Sequence, residues 1–180
     1  MNKLKTRSKI LIIRKKKFNK NLKINLNKFI SFFKVNTHNA KKIGGYYPSN
    51  YEIDDLEILD LLEKQNYSIS LPIVKKNNQM NFYEWSKEDL LIINKFGIPE
   101  PVSSKIVYPD ILLVPLVGYD KNLNRLGYGG GFYDRYIEKI DKIKKITKIG
   151  LAFSYQKIKS VPIDQYDKKL DFIITEKDFI

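Results

Sequence analysis

The sequence predicts an α/β protein built as one domain, a three-layer sandwich whose mostly parallel central sheet is flanked by helices. Three observations predict it. The run Ile111–Val117 is apolar without alternation, as a strand covered on both faces must be. Strand-like segments alternate along the chain with segments of helical spacing. A glycine-rich stretch, holding four of the nine glycines between Gly127 and Gly131, then joins that central strand to a helix.

Residues 3–17 and 21–35 read as two helices. In the second, Leu22, Leu26, Phe29, Ile30 and Phe33 recur at three- and four-residue spacing and form one buried stripe. Lys41–Tyr47 reads as a strand closed by Pro48-Ser49-Asn50. Ile53–Gln65 is helical, with Ile53, Leu56, Leu59 and Leu62 on one face. Tyr67–Val74 is a second strand, ended by the polar turn Lys75–Gln79, and Asn81–Trp85 is a short third. Lys87–Phe96 reads as irregular or weakly helical. Pro115 cannot donate to a ladder, which puts the end of the central strand near it. A helix from Phe132 to Lys145 follows the glycines, with Phe132, Tyr136, Ile140 and Ile143 inward, and Lys148–Ser154 and Asp171–Thr175 are the last strands. No repeat or linker divides the chain, so residues 1–180 read as one domain with a basic helical N-terminal segment over 1–42.

Composition narrows the function classes. The chain has no cysteine, which excludes disulfides, thiolate metal sites and thiol catalysis, and which fits a cytoplasmic setting. Neither Ile10–Ile13 nor Ile111–Val117 approaches the roughly 20 residues of a membrane span, so no membrane partner is expected. The net charge of +13 is local: residues 1–42 carry 12 Lys and 2 Arg and no acid, whereas the other 138 residues carry 19 basic and 20 acidic groups. Such a cationic segment attracts polyanions. Heavy Lys, Asn and Ile usage also inflates lysine with no binding role.

The chemistry concentrates in Arg125-Leu-Gly-Tyr-Gly-Gly-Gly-Phe-Tyr-Asp134. Glycines let backbone N–H groups approach an anion closely, and the place between a buried strand's C-terminal end and a helix N-terminus is where open α/β sheets bind phosphate. The spacing matches neither the dinucleotide nor the Walker fingerprint. Asp134 falls in the helix's first turn, where the helix dipole alone favours a carboxylate. Beside phosphates it would be repelled unless a cation, such as magnesium, lay between.

The run Asp110–Asp120, with Asn124-Arg-Leu-Gly-Tyr-Gly-Gly-Gly-Phe-Tyr-Asp-Arg-Tyr136 after it, resembles the signature of the 5-formyltetrahydrofolate cyclo-ligase family. Lys3 and Arg7, the segment Tyr46–Ile53 and the segment Val161–Asp171 resemble its other motifs, so the similarity runs along nearly the whole chain. The resemblance implies ATP and 5-formyltetrahydrofolate as co-substrates and Mg2+ as cofactor. It implies that Lys3 and Arg7, one helical turn apart, contact ATP phosphates together with Arg125, Leu126, Gly127, Tyr128, Gly129, Gly130, Gly131, Phe132 and Tyr133. Tyr47, Glu52 and Tyr128–Phe132 would border the folate, and Asp134 and Asp167 would hold magnesium. Arg125 and Asp134 would be the catalytic pair. Many relatives carry His where this chain has Tyr166.

The implied reaction begins with attack of the formyl oxygen on the γ-phosphate of ATP. N10 then attacks the formyl carbon and phosphate leaves, giving 5,10-methenyltetrahydrofolate, ADP and phosphate. Such chemistry rests on positioning and charge neutralisation, and it needs no protein nucleophile. Two other classes are weighed beside it: a basic RNA-binding protein using residues 1–42 as an arm, and a small-molecule kinase or ATPase with the same phosphate loop. Nucleic acid is not the expected partner, and a monomer is expected. His38, alone in a polar stretch, reads as a surface residue, Asp110 as a strand-end residue, and Asp120 is left without a role.

Overall fold

The apolar run at 111–117 becomes the middle of a sheet, as its composition requires. The computed structural model describes residues 2–37 and 39–180. Its helices are α1 (Lys3–Lys17), α2 (Leu26–Asn36), α3 (Leu56–Glu63) and α4 (Phe132–Asp141). Its strands are β1 (Lys42–Gly44), β2 (Ser68–Val74), β3 (Met80–Glu84), β4 (Leu91–Ile93), β5 (Pro99–Pro101), β6 (Ile106–Val107), β7 (Ile111–Pro115), β8 (Gly118–Tyr119), β9 (Arg125–Leu126), β10 (Thr147–Leu151) and β11 (Phe172–Ile174). The main sheet runs β11-β10-β7-β1-β2-β3-β6. Its first five members are parallel, and β3 and β6 are antiparallel to their neighbours.

The two faces of β7 show why the strand does not alternate. Ile111 and Leu113 join a core with Phe29 and Phe33 of α2 and Leu59 and Leu62 of α3. Leu112 and Val114 join a second core with Tyr136, Ile137 and Ile140 of α4. Helices on both faces make the α/β sandwich that the sequence predicts. Helix α1 packs at the end of the sheet, where Ile10 meets Val117, Leu126 and Val161. No helix among the described residues is long and apolar enough to cross a membrane.

Several boundaries differ from the sequence reading, each for a local reason. Helix α2 starts at Leu26 because Asn25 caps it, its side-chain oxygen accepting from the Lys28 N–H at 3.0 Å. Leu22 therefore lies before the helix and packs on the same core from a loop. Helix α3 starts at Leu56, whose N–H is taken by Asp54 Oδ1 at 2.9 Å. Helix α4 stops at Asp141, which leaves Ile143 55% exposed and off the inner face. Lys87–Phe96 is neither helical nor wholly irregular: it contains β4, which pairs with β5 around a turn. There Asn94 Oδ1 accepts from the N–H groups of Phe96 and Ile98, and Gly97 adopts φ 74°.

Asp110 is a strand-end residue, accepting the N–H groups of Lys41 and Lys42, both at 2.8 Å, and the Lys144 ammonium. Asp120 is a buried hub that accepts from the N–H groups of Asn122, Asn124 and Val161 and from the Asn124 amide. Burial pushes its carboxyl up, but these bonds hold it below its ordinary value. It ties the β8–β9 hairpin to the segment 161–170. His38 lies outside the described residues.

Candidate active site

A cavity of about 930 Å³ opens at the C-terminal ends of β1, β2 and β7, between α1, the β8–β9 hairpin and the N-terminus of α4. Lys3, Arg7, Tyr47, Glu52, Asp167 and the whole run Arg125–Asp134 line it, so every sequence-predicted site residue faces one space. The position follows from the topology. Parallel strands aim their C-terminal ends at one edge, and each connection to a helix leaves that edge.

The glycine run forms one wall. Gly129 has φ 104°, a backbone region that side chains rarely enter, and a Cβ there would lie 3.2 Å from the Arg7 guanidinium carbon. Arg7 also donates from Nε to the Gly127 carbonyl at 2.7 Å. Helix α1 is thereby clamped onto the loop by the same arginine that faces the cavity. Gly131, at φ 66°, caps α4 without a side chain, so the first-turn N–H groups of α4 have no side-chain acceptor at the cap.

Charge on this wall is internally paired. Arg125, whose side chain is 4% exposed, donates from Nη2 to Asp134 Oδ1 at 2.6 Å. Asp134 Oδ1 also accepts the Lys168 N–H at 3.0 Å, which lays the Asp167 segment beside it. Burial pulls the Arg125 guanidinium below its usual value, and the Asp134 charge pushes back. Lys3 bridges Asp167 at 2.5 Å and Asp164 at 2.8 Å. Burial lowers the Lys3 ammonium, but these carboxylates hold it above its ordinary value.

The opposite wall is aromatic. Tyr46 is buried and donates its hydroxyl to the Ile53 carbonyl at 2.7 Å. Asn50 and Tyr51, at φ 47° and 61°, turn the chain back, and Glu52 N–H closes the turn on the Ser49 carbonyl at 2.9 Å. Glu52 is buried to 8% exposure, accepts from the Ser49 N–H on Oε2 at 2.7 Å, and accepts the Tyr128 hydroxyl on Oε1 at 2.5 Å. Burial raises its carboxyl above the ordinary value, against the pull of these bonds and of the Arg14 charge. One buried residue behind this wall was not legible as a site residue: Arg14, on the α1 face of Lys3, Arg7 and Ile10. Its only sequence signal is that four-three-four spacing along one helix face.

Residues 5–176 match the family model described as the 5-formyltetrahydrofolate cyclo-ligase family. The chain belongs to this family. Over 143 residues it is 33% identical to a 5-formyltetrahydrofolate cyclo-ligase of Haemophilus influenzae, covering 76% of each chain. The solution NMR structure of a 5,10-methenyltetrahydrofolate synthetase from Aquifex aeolicus superposes with a TM-score of 0.80 at 31% identity, over 99% of this chain and 92% of the other. A 5,10-methenyltetrahydrofolate synthetase from Mycoplasma pneumoniae gives 0.76 at 27% identity, over 98% and 99%. The span that matches the family model contains the whole glycine wall of the cavity.

The donor set suits magnesium. Among the described residues no group of three His, Cys, Asp or Glu side chains could cage a metal. Asp134 and Asp167 each direct one oxygen into the pairs above and leave the other, Oδ2 and Oδ1 respectively, without a hydrogen bond among the described residues. One or two hard carboxylate oxygens, completed by water and phosphate, are what Mg2+ takes.

Proposed function

We propose that this chain catalyses the ATP-dependent cyclisation of 5-formyltetrahydrofolate to 5,10-methenyltetrahydrofolate, with release of ADP and phosphate. The carrying observation is that a glycine loop within the span matched to the family, the cations Lys3, Arg7 and Arg125, and the buried carboxylate of Glu52 share one cavity. Lys3, Arg7 and Arg125 face the triphosphate together with the N–H groups of the glycine run, which supply fixed donors at no cost in reorganisation. Asp134 and Asp167 would hold Mg2+, which would neutralise phosphate charge. Tyr47, Glu52 and the segment Tyr128–Phe132 border the folate and orient its formyl oxygen toward the γ-phosphate. Pocket closure against water falls to Tyr46, Phe132 and Tyr133, whose apolar bodies line the cavity.

Placement is the main contribution of these residues, because the attacking and leaving groups both come from the substrates. The test is direct: incubate the protein with 5-formyltetrahydrofolate, ATP and magnesium and follow the methenyl chromophore. Product formation that needs all three supports the reading. Absence of product with both monoglutamate and polyglutamate substrates overturns it, and ADP release that ignores folate points instead to an ATPase. A monomeric, cytoplasmic enzyme belongs to the same proposal.

A further inference from the structure

Arg14 lies on α1 with its side chain buried to 1% exposure, and it does not line the cavity. A guanidinium is costly to bury unless its charge is used. Among the described residues no carboxylate pairs with it, and its Nε has no partner. Its Nη1 donates to the Leu116 carbonyl at 3.3 Å and its Nη2 donates to the Tyr128 hydroxyl at 2.5 Å. Its carbon stands 5.4 Å from the centre of the Tyr128 ring. The Tyr128 hydroxyl has a single proton and, with Arg14 occupying a lone pair, gives that proton to Glu52 Oε1 at 2.5 Å. The three groups form a chain in which a buried cation polarises a hydroxyl, and the hydroxyl grips a carboxylate that faces the cavity.

We infer that Arg14 is a positioning residue, which holds Tyr128 against Glu52 from behind the wall and so fixes the carboxylate that the folate ring meets. The inference rests on the proposed cyclo-ligase reading and adds a residue to it. The geometry divides the work of α1 by position. Lys3 and Arg7 reach the cavity directly, whereas Arg14, two turns further on, acts on the opposite wall through Tyr128. The consequence is selective: losing Arg14 weakens folate binding and leaves the triphosphate side in place.

The test is a double-mutant cycle on folate and ATP kinetics. Arg14→Met keeps a long apolar side chain without charge, and Tyr128→Phe removes the hydroxyl from a ring whose edge is already exposed. Each is expected to raise the folate KM about tenfold, the cost of one hydrogen bond to a charged group. The ATP KM stays within about twofold, and the double variant is no worse than either single one, because both break one chain. Additive losses, or an equal rise in the ATP KM, overturn the inference. Should Arg14→Met fail to fold, Tyr128→Phe still decides, since an unchanged folate KM in that variant removes the link through which Arg14 acts. A wild-type protein that makes no methenyl product sinks the activity and not the chain of contacts. The cycle is then read in melting temperature, where non-additive losses keep the Arg14–Tyr128 coupling and additive losses overturn it.

Discussion

The wall of the cavity built from α1, the glycine run and residues 161–170 holds its carboxylates against cations, whereas the wall of residues 46–52 holds Glu52 with a tyrosine hydroxyl and a serine. The two arrangements differ in what a ligand must displace. On the charged wall, the Lys3 pairs are partly exposed, at 29% for the lysine and 54% and 24% for its partners. Solvent screens such partly exposed pairs, so phosphate oxygens can exchange for them at little cost. On the aromatic wall nothing needs to leave. Glu52 is already fixed and desolvated, so a ligand can meet it in place. One wall is suited to capture a highly charged group, the other to orient a flat one.

The largest expected effect falls on the charged wall. Arg125→Ala or Asp134→Ala cuts turnover by at least about a hundredfold, the scale seen when a partner of transition-state charge is lost. Steady-state rates at saturating folate read it directly. Near-normal turnover in both variants would remove the catalytic role of that wall and leave the comparison without its first term.

On the aromatic wall the expected signature is a pH limb. In the proposed reading Glu52 meets the folate as a carboxylate, and burial holds its titration above the ordinary value. The folate kcat/KM therefore falls on acidification at a higher pH than an exposed glutamate, near 4.3, would give. The groups facing it are Arg14, Tyr46, Asp55, Tyr128 and Tyr133. Glu52→Gln abolishes this limb and lowers the folate kcat/KM about tenfold, the value of a charge-assisted hydrogen bond. An acid limb that persists unchanged in Glu52→Gln assigns the titration to another group.

A smaller contrast is read with salt. Exposed charges are screened at about 3 Å in 1 M salt, against about 8 Å at physiological strength. The ATP KM is expected to rise several-fold between those strengths, while the folate KM changes by less than about twofold because Glu52 is buried. Equal salt dependence of the two constants would erase the distinction between the walls.

How much of this was legible depended on whether a residue's partner lay nearby in sequence. Strand β7 was legible because both faces are buried and its composition reports that. The glycine wall was legible because four glycines act as one local unit. Helix α2 was extended too far toward its N-terminus because Leu22 keeps the helical spacing, although Asn25 supplies the cap. The β4–β5 hairpin was hidden because Leu90, Ile92, Ile93 and Phe96 are all exposed, so no burial pattern marks it. Arg14 was hidden for a different reason: its contacts, Leu116 and Tyr128, are 102 and 114 positions away. The pairing of Lys3 with Asp167 is likewise non-local, across 164 positions, whereas Arg125 and Asp134 lie only nine apart.

Asp55 carries the smallest prediction and isolates what burial alone does to a carboxylate behind the aromatic wall. It is fully buried, accepts the Tyr46 N–H on Oδ2 at 3.1 Å, and leaves Oδ1 without a partner among the described residues. It does not line the cavity. Burial pushes its carboxyl well above the ordinary value, so folding favours the protonated form. The stability linked to that proton is fully present below the unfolded value of about 3.9 and is lost as pH rises through the folded value. Asp55→Asn keeps the acceptor for Tyr46 and carries no charge at any pH, so it escapes the loss. The variant should melt with the wild type near pH 4 and above it near pH 7.5, by about 2–4 °C for each kcal/mol relieved. Both substrate KM values stay unchanged, since Asp55 does not line the cavity. A melting difference that does not vary with pH would mean that Asp55 is ionised in the fold, against the direction in which burial pushes it.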